Sequence, residues 1–349
     1  MTKEIRRLEV RTLGLGAVIA GALLFATPAG FAASKAKSDA KADMDKMQIE
    51  IVPIRDNIFM LSGGGSNMAV QIGKNGILVV DTLAAGLSDK ALAAIRSISD
   101  KPIRYIVDTS YRADHVGGNA AIRNAGSTVT GGNVAFEISN SAEGAAIISH
   151  ESVLFHLSAP AGEVPAMSED GWPTSTYFEG GKDLYFNGEA VRIMHIPDAA
   201  TDGDSIVFFR KSDVIAVGDL FQATTYPVID LEAGGSLQGL IDGETRVIGM
   251  MVAEYGESGG TLLIPGHGRA AEMGDIVWYR EMLSIVRDRI QALIDQGMTL
   301  EQVIAAKPTR DYDGRYAAPS GPATAENFVT TVYKSLVAAK SAKKPAAGE

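Results

Sequence analysis

The chain has 349 residues, of which 46% are hydrophobic and 21% charged, a composition typical of a folded globular protein. It contains no cysteine, which excludes disulfide bonds, cysteine-ligated zinc, iron–sulfur clusters and a cysteine nucleophile. The net charge of −10 indicates no basic surface, so we expect no nucleic-acid partner. Five histidines remain for metal binding or acid–base chemistry: His115, His150, His156, His195 and His267.

The N-terminus has the parts of a secretory signal peptide. Basic residues precede the uncharged stretch Thr12–Phe31, and small residues surround a cleavage point after Ala32 or Ala33. We therefore expect residues 1–33 to be a signal peptide and the mature protein to be periplasmic or secreted. The alternative is a membrane anchor formed by an uncleaved N-terminal helix, but several glycines and a proline interrupt the stretch. After cleavage we expect no stable membrane span.

A flexible lead-in over residues 34–48 precedes the first regular elements, because it is rich in alanine, lysine, aspartate and serine. Short β-rich segments with glycine and asparagine turns then predict a meander of strands over 49–80. Val134–Ile148 has helical spacing and predicts a helix. Ser149–Thr174 has no sustained period and predicts a long loop that covers a site.

A second run of strands is predicted between residues 176 and 217, followed by helices and one further strand. The predicted order of elements, strands followed by helices and then the same again, is compatible with two sheets packed face to face with helices outside. No linker separates the halves, so we expect one α/β domain over residues 49–320. A C-terminal helix and a polar tail follow it over residues 321–349.

Four segments combine polar residues with glycines where predicted strands end, which is where ligand-binding groups usually gather. They are Asp108–Asn119, Pro197–Asp204, Gly218–Leu220 and Pro265–Gly268.

With the strand that ends at Asp81, these segments resemble the metallo-β-lactamase-fold hydrolases, and the resemblance extends from about Ile49 to about Tyr316. It implies a four-layer αββα sandwich that binds zinc, usually two ions, at one edge. It also implies a hydroxide that attacks esters, amides, thioesters or phosphoesters of a small-molecule substrate.

The family's metal motif, His-x-His-x-Asp-His with a later histidine, aspartate and Pro-Gly-His-Gly, is only partly present. Three of its histidines are replaced, by Ser110, Arg112 and Ala200. The other ligand positions match the family, and they are Asp114, His115, Asp219 and His267. Because the three missing histidines together form the family's first zinc site, the resemblance implies one zinc ion here. Nitrogen and oxygen ligands are also compatible with iron or manganese.

Arg112 places a permanent cation where a histidine would hold a second metal. Its guanidinium can pair with Asp219 or Asp114, or bind an anionic group of a substrate. We expect Asp114 or Asp219 to act as general base. Asp81 is expected to orient the metal loop by hydrogen bonding.

The other residues of the predicted site are pocket or supporting groups: Ser110, Tyr111, Asn119, Ala200 and Asp204. Of the remaining histidines, we expect His195 to be a core or rim residue, and His150 and His156 to be surface or lid residues.

Two functions fit this pattern. The first is an exported hydrolase with a single metal-activated water, acting on an ester, amide or related bond of a small anionic substrate. The second is a catalytically inactive binding protein with the same fold and an anion-binding pocket around Arg112. The sequence carries no signal for an oligomeric state.

Overall fold

The computed structural model describes residues 44, 46–128, 144–158, 167–252 and 259–342. The expected signal peptide and most of the expected lead-in lie outside these residues. None of the helices described is both long enough and apolar enough to cross a lipid bilayer.

The first sheet contains seven strands that follow one another in chain order. Its first four strands pair antiparallel through tight turns, where Asp56 and the glycines Gly64 and Gly65 have positive φ angles. From the fourth strand onward the pairing is parallel. The strands are β1 (Glu50–Arg55), β2 (Ile58–Gly63), β3 (Ser66–Gly73), β4 (Gly76–Val80), β5 (Ile103–Val107), β6 (Ala146–His150) and β7 (Ser175–Tyr177).

The second sheet contains five strands in the order β12-β11-β10-β9-β8. All neighbours pair antiparallel except β11 and β12, which are parallel and end at the same edge. The strands are β8 (Gly181–Phe186), β9 (Glu189–His195), β10 (Ser205–Phe209), β11 (Val214–Gln222) and β12 (Leu262–His267).

Helices cover the outer face of each sheet. The described α-helices are α1 (Ser88–Ile98), α2 (Ala113–Val116), α3 (Asn119–Asn124), α4 (Glu151–Ser158), α5 (Leu237–Met250), α6 (Met273–Asp295), α7 (Leu300–Ala306), α8 (Arg310–Tyr316) and α9 (Ala325–Ala342). Helices α1 and α3 pack on the first sheet. Helices α5, α6 and α9 pack on the second.

The alternation of side chains along β4 shows how the layers are built. Ile77 and Val79 pack towards α1, whereas Leu78 and Val80 pack in the core between the two sheets. A strand that is covered on both faces reads as a continuous apolar run, because alternate side chains point to opposite faces. The predicted αββα sandwich is therefore confirmed.

Two predictions around the middle of the chain are wrong. The described end of the segment predicted as a helix, Val134–Ile148, belongs to strand β6, which lies between β5 and β7 and pairs with both. The rest of it up to residue 143 lies outside the described residues. The segment Ser149–Thr174 contains α4 rather than only a loop, because Val153 and Leu157 form a buried i, i+4 pair. Its residues 159–166 also lie outside the described part.

Candidate metal centre

The predicted site residues come together at one edge of the sandwich, and both sheets contribute. Asp114 and His115 lie on the short helix α2, which follows β5 of the first sheet. Asp219 lies within β11, and His267 is the last residue of β12, in the second sheet.

Gly218 allows β11 to carry Asp219 into the site. Its φ angle is +51°, in the left-handed region that favours glycine. A Cβ atom at this position would lie 2.5 Å from Thr109 Oγ1, so the neighbouring loop leaves no space for a side chain.

His115 is held in a fixed orientation at the floor of the site. Its ring is fully buried, and its Nδ1 atom lies 2.8 Å from Asp81 Oδ2. Asp81 is itself held by Thr109, which donates from its backbone N and its Oγ1. The other ring nitrogen, Nε2, therefore faces Asp219, with 3.2 Å between Nε2 and Oδ1.

The ring of His267 is likewise oriented by a contact at its Nδ1 atom. Its Nδ1 atom lies 2.8 Å from the carbonyl oxygen of Gly65. Its Nε2 atom lies 3.2 Å from Asp219 Oδ1 and 3.3 Å from Asp114 Oδ2. Both imidazoles therefore direct Nε2 at one carboxylate oxygen.

The arrangement fits a metal ion. Asp114, His115 and His267 each offer one ligand atom, and these atoms lie within 4.8 Å of one another. Two imidazole nitrogens and carboxylate oxygens form a donor set that suits zinc, and Nε2 is available because Nδ1 of each ring already has a partner.

Arg112 holds the far side of Asp219. Its Nη1 donates to Asp219 Oδ2 and its Nη2 to the carbonyl oxygen of Val228, both at 2.6 Å. The guanidinium therefore occupies Oδ2 and leaves Oδ1 to the two histidines. Only 17% of the Arg112 side chain is exposed, and that part lines the cleft described below.

The charges at the floor of the site support one another. Burial disfavours an ionised Asp219, but the positive charges of His115 and Arg112 outweigh it and hold the pKa of this carboxyl well below its usual range. Burial likewise disfavours a charged His115, but Asp219 and Asp81 outweigh it and raise the pKa of the imidazole well above its usual range. The positive charges of His115 and Arg112 thus compensate the buried carboxylate of Asp219.

Ser110, Ala200 and Asp204 are expected pocket or supporting residues, and all three are buried. Ser110 and Ala200 are fully buried, and Ser110 Oγ makes no hydrogen bond within the described residues. Asp204 accepts from the backbone N and the Oγ1 of Thr201, and burial raises its pKa to about 7.

Asn119 and Tyr111 support the loops. Asn119 accepts from Thr82 Oγ1 and donates to Asp108 Oδ2. Tyr111 donates to Asp230 Oδ2.

The remaining histidines lie apart from the three clustered ligand residues, and one of them differs from expectation. His150 is buried at the end of β6, with its ring stacked on His195 at a centroid distance of 3.7 Å, so the prediction of a surface or lid residue is wrong for it. His195 lies at the end of β9 and contacts the carbonyl oxygen of Asp202. His156, on α4, contacts the Asp202 side chain and stacks on Tyr111.

A cleft of about 910 Å³ opens at the candidate metal centre, beside Asp114 and His267. Polar side chains in its lining include Arg112, Asp114, Gln222, His267, Glu50 and Arg269, and apolar side chains contribute as well. The apolar lining residues are Val52, Met60, Val228, Ala270 and Pro322.

Three groups at the site were missed by sequence reasoning. The carbonyl oxygens of Gly65 and Val228 hold His267 and Arg112, and a backbone carbonyl has no residue-type signal. Gln222 Nε2 lies 3.4 Å from Asp219 Oδ1, and its position three residues after Asp219 was the available signal.

A family model described as the metallo-beta-lactamase superfamily matches residues 61–267. Two solved structures illustrate the likeness. The sec-alkylsulfatase Pisa1 from Pseudomonas sp. aligns with a TM-score of 0.57 and 15% identity, over 82% of this chain and 50% of that chain. A metallo-beta-lactamase from Pontibacter korlensis aligns with a TM-score of 0.50 and 14% identity, over 68% of this chain and 99% of that chain.

At these identities the likeness concerns the fold. The chain spans about half the length of the alkylsulfatase. No curated protein matches it.

Proposed function

Because this chain belongs to the metallo-beta-lactamase superfamily, we propose that it is an exported hydrolase with a single metal ion. The observation that carries the proposal is the convergence of His115 Nε2 and His267 Nε2 on Asp219 Oδ1, each at 3.2 Å. Each ring is turned by a hydrogen bond at its other nitrogen, so the convergence is built into the fold.

The residues that would hold the ion are Asp114, His115, Asp219 and His267. A bound zinc ion lowers the pKa of its water to about 7 and so supplies a nucleophile at neutral pH. The side chain of Asp114 is 41% exposed at the cleft, so the carboxylate oxygen that does not hold the ion can accept a proton from a reacting group there.

One ion rather than two is favoured by Arg112. The guanidinium stands at the position where the family's motif has a histidine, and its bond to Asp219 Oδ2 already uses one of the two oxygens of this carboxylate. A permanent cation at this place repels a second cation and compensates the buried carboxylate instead.

The position of Arg112 also favours a substrate that carries a negative charge. A guanidinium has five N–H donors, and Asp219 and Val228 accept from only part of this set. Its cleft-facing part can therefore bind a carboxylate or another oxyanion of the substrate, next to the ligand residues. The apolar lining of the cleft would receive the rest of a small molecule.

Metal analysis of the purified protein tests the proposal. We expect about one zinc ion per chain, and loss of the ion in His115→Ala and in His267→Ala. His195→Ala serves as the matched control, since this imidazole contacts a loop carbonyl and the ring of His150, and it should keep the ion.

The alternative is a metal-free protein that binds an anion at Arg112. A wild-type protein that retains no zinc, no iron and no manganese would contradict the hydrolase proposal and favour this alternative. Metal analysis therefore distinguishes the two functions without requiring a known substrate.

A further inference from the structure

The β2–β3 hairpin reaches from the first sheet to the strand that carries His267. Asn67, the second residue of β3, is 2% exposed. Its Nδ2 atom donates to the carbonyl oxygen of Pro265 at 2.9 Å and to the carbonyl oxygen of Gly268 at 2.8 Å. These two carbonyls belong to residues on either side of His267, so one amide group spans the segment that bears this histidine.

The same hairpin also holds the His267 ring. The carbonyl oxygen of Gly65 lies 2.8 Å from His267 Nδ1, and Gly65 has a φ angle of +92°. The direction of this carbonyl therefore depends on a backbone conformation that favours glycine. The backbone and the ring of His267 are thus both fixed by residues that lie 198 to 202 positions away in the chain.

The orientation of the Asn67 amide follows from its partners. Two carbonyl oxygens require a donor between them, so the amide nitrogen must face them and Oδ1 must point away. Oδ1 is buried and makes no hydrogen bond in the part of the chain that the structure describes. A buried acceptor without a partner is unfavourable, so the two bonds donated by Nδ2 are what hold this side chain in place.

We propose that the β2–β3 hairpin, through Asn67 and the Gly65 carbonyl, positions His267 and thereby sets the metal affinity of the centre. This inference rests on the proposed function, because it needs a metal to bind. Asn67 is a positioning residue, since it contacts the backbone around His267 and not the ligand atoms.

Zinc dissociation constants, measured by competition with a chromophoric chelator, test the role of Asn67. We expect Asn67→Ala to bind zinc about 10–100-fold more weakly than wild type, as for other groups that orient metal ligands. Asn67→Asp fills the same volume but has no donor to offer the two carbonyls, so it should not restore the affinity. Asn57→Ala is the matched control, because Asn57 donates to Ile72 at the far end of the same strand and should leave the affinity unchanged.

Gly65→Ala gives a second route if the Asn67 variants do not fold. A Cβ atom at Gly65 meets nothing within 4 Å, so the substitution acts on the backbone angle and on the carbonyl that His267 contacts. We expect weaker zinc binding and a changed visible spectrum of the cobalt(II)-loaded protein.

The outcomes separate the two proposals. Wild-type zinc affinity in both Asn67→Ala and Gly65→Ala, or its recovery in Asn67→Asp, overturns the positioning role while the hydrolase proposal stands. A wild-type protein that binds no metal overturns both.

Discussion

Asp219 has different partners at its two carboxylate oxygens, and this division defines the centre. Oδ2 accepts from Arg112, whereas Oδ1 faces His115 and His267. In a buried carboxylate each oxygen needs a partner, because an unpaired buried charge is strongly destabilising. A guanidinium on one side and two imidazoles on the other satisfy that need.

Replacing Arg112 should therefore destabilise the metal-free protein. In Arg112→Met, Asp219 Oδ2 loses its partner, and we expect the free energy of unfolding to fall by roughly 3 kcal/mol, as when one partner of a buried ion pair is removed. Added zinc should recover part of the loss by supplying a positive charge at Oδ1. Chemical denaturation with and without zinc measures both effects.

The exposed pair of Arg192 and Asp183 provides the control for this prediction. Arg192→Met should leave the stability nearly unchanged, because water screens the exposed pair. Equal stability of Arg112→Met and wild type would show that the bond to Asp219 contributes nothing.

At the scale of single elements, α5 carries a buried carboxyl group unrelated to the metal centre. Ser236 caps the helix by accepting from the backbone N of Gly239. Glu244 is fully buried, and neither of its carboxyl oxygens has a hydrogen-bond partner among the described residues. Burial therefore raises the pKa of Glu244 well above its usual range.

This carboxyl makes the stability depend on pH. The folded protein keeps the proton of Glu244 at pH values where the unfolded chain releases it, so stability falls as pH rises from the ordinary glutamic acid pKa to the raised one. The loss reaches at most about 1.4 kcal/mol for each pH unit of that interval. Glu244→Gln should show a flatter dependence between about pH 5 and pH 8 in urea unfolding.

Glu281→Gln, at an exposed position of α6, should keep the wild-type slope. A parallel pH dependence of wild type and Glu244→Gln would mean that Glu244 is ionised in the folded protein.

At the scale of the whole molecule, the candidate ligands join the two sheets. Asp114 and His115 follow β5 of the first sheet, whereas Asp219 and His267 lie on β11 and β12 of the second. A metal held by all four residues would bind the folded chain and not the unfolded one, because no ligand set exists before the sheets pack.

Removing the metal should therefore lower the melting temperature. A ligand at a thousandfold excess over its Kd adds about 4 kcal/mol to the stability of the folded state, which corresponds to a shift of several degrees for a domain of this size. Differential scanning calorimetry with zinc and with EDTA measures this shift. The double variant His115→Ala, His267→Ala should melt at one temperature in both conditions, and a wild type that does the same would contradict a metal centre.

Much of the architecture follows from local sequence patterns. Alternating apolar residues and glycine turns predict the strands of the meander, since side-chain alternation and positive φ angles are properties of a few neighbouring residues. The helix predicted over Val134–Ile148 is wrong at β6, because a short apolar run such as Ala145–Ile148 is compatible with either a helix or a strand, and only pairing with β5 and β7 distinguishes them.

The sequence by itself determined the layered α/β fold, the strand ends at which the site forms, and the replacement of three imidazoles by Ser110, Arg112 and Ala200. These follow from residue identities and short periodicities. Only the tertiary structure decided that Arg112 pairs with Asp219 rather than Asp114, and that the β2–β3 hairpin holds His267. These contacts join residues that lie 107 and 202 positions apart, so their geometry exists only once the two sheets have packed together.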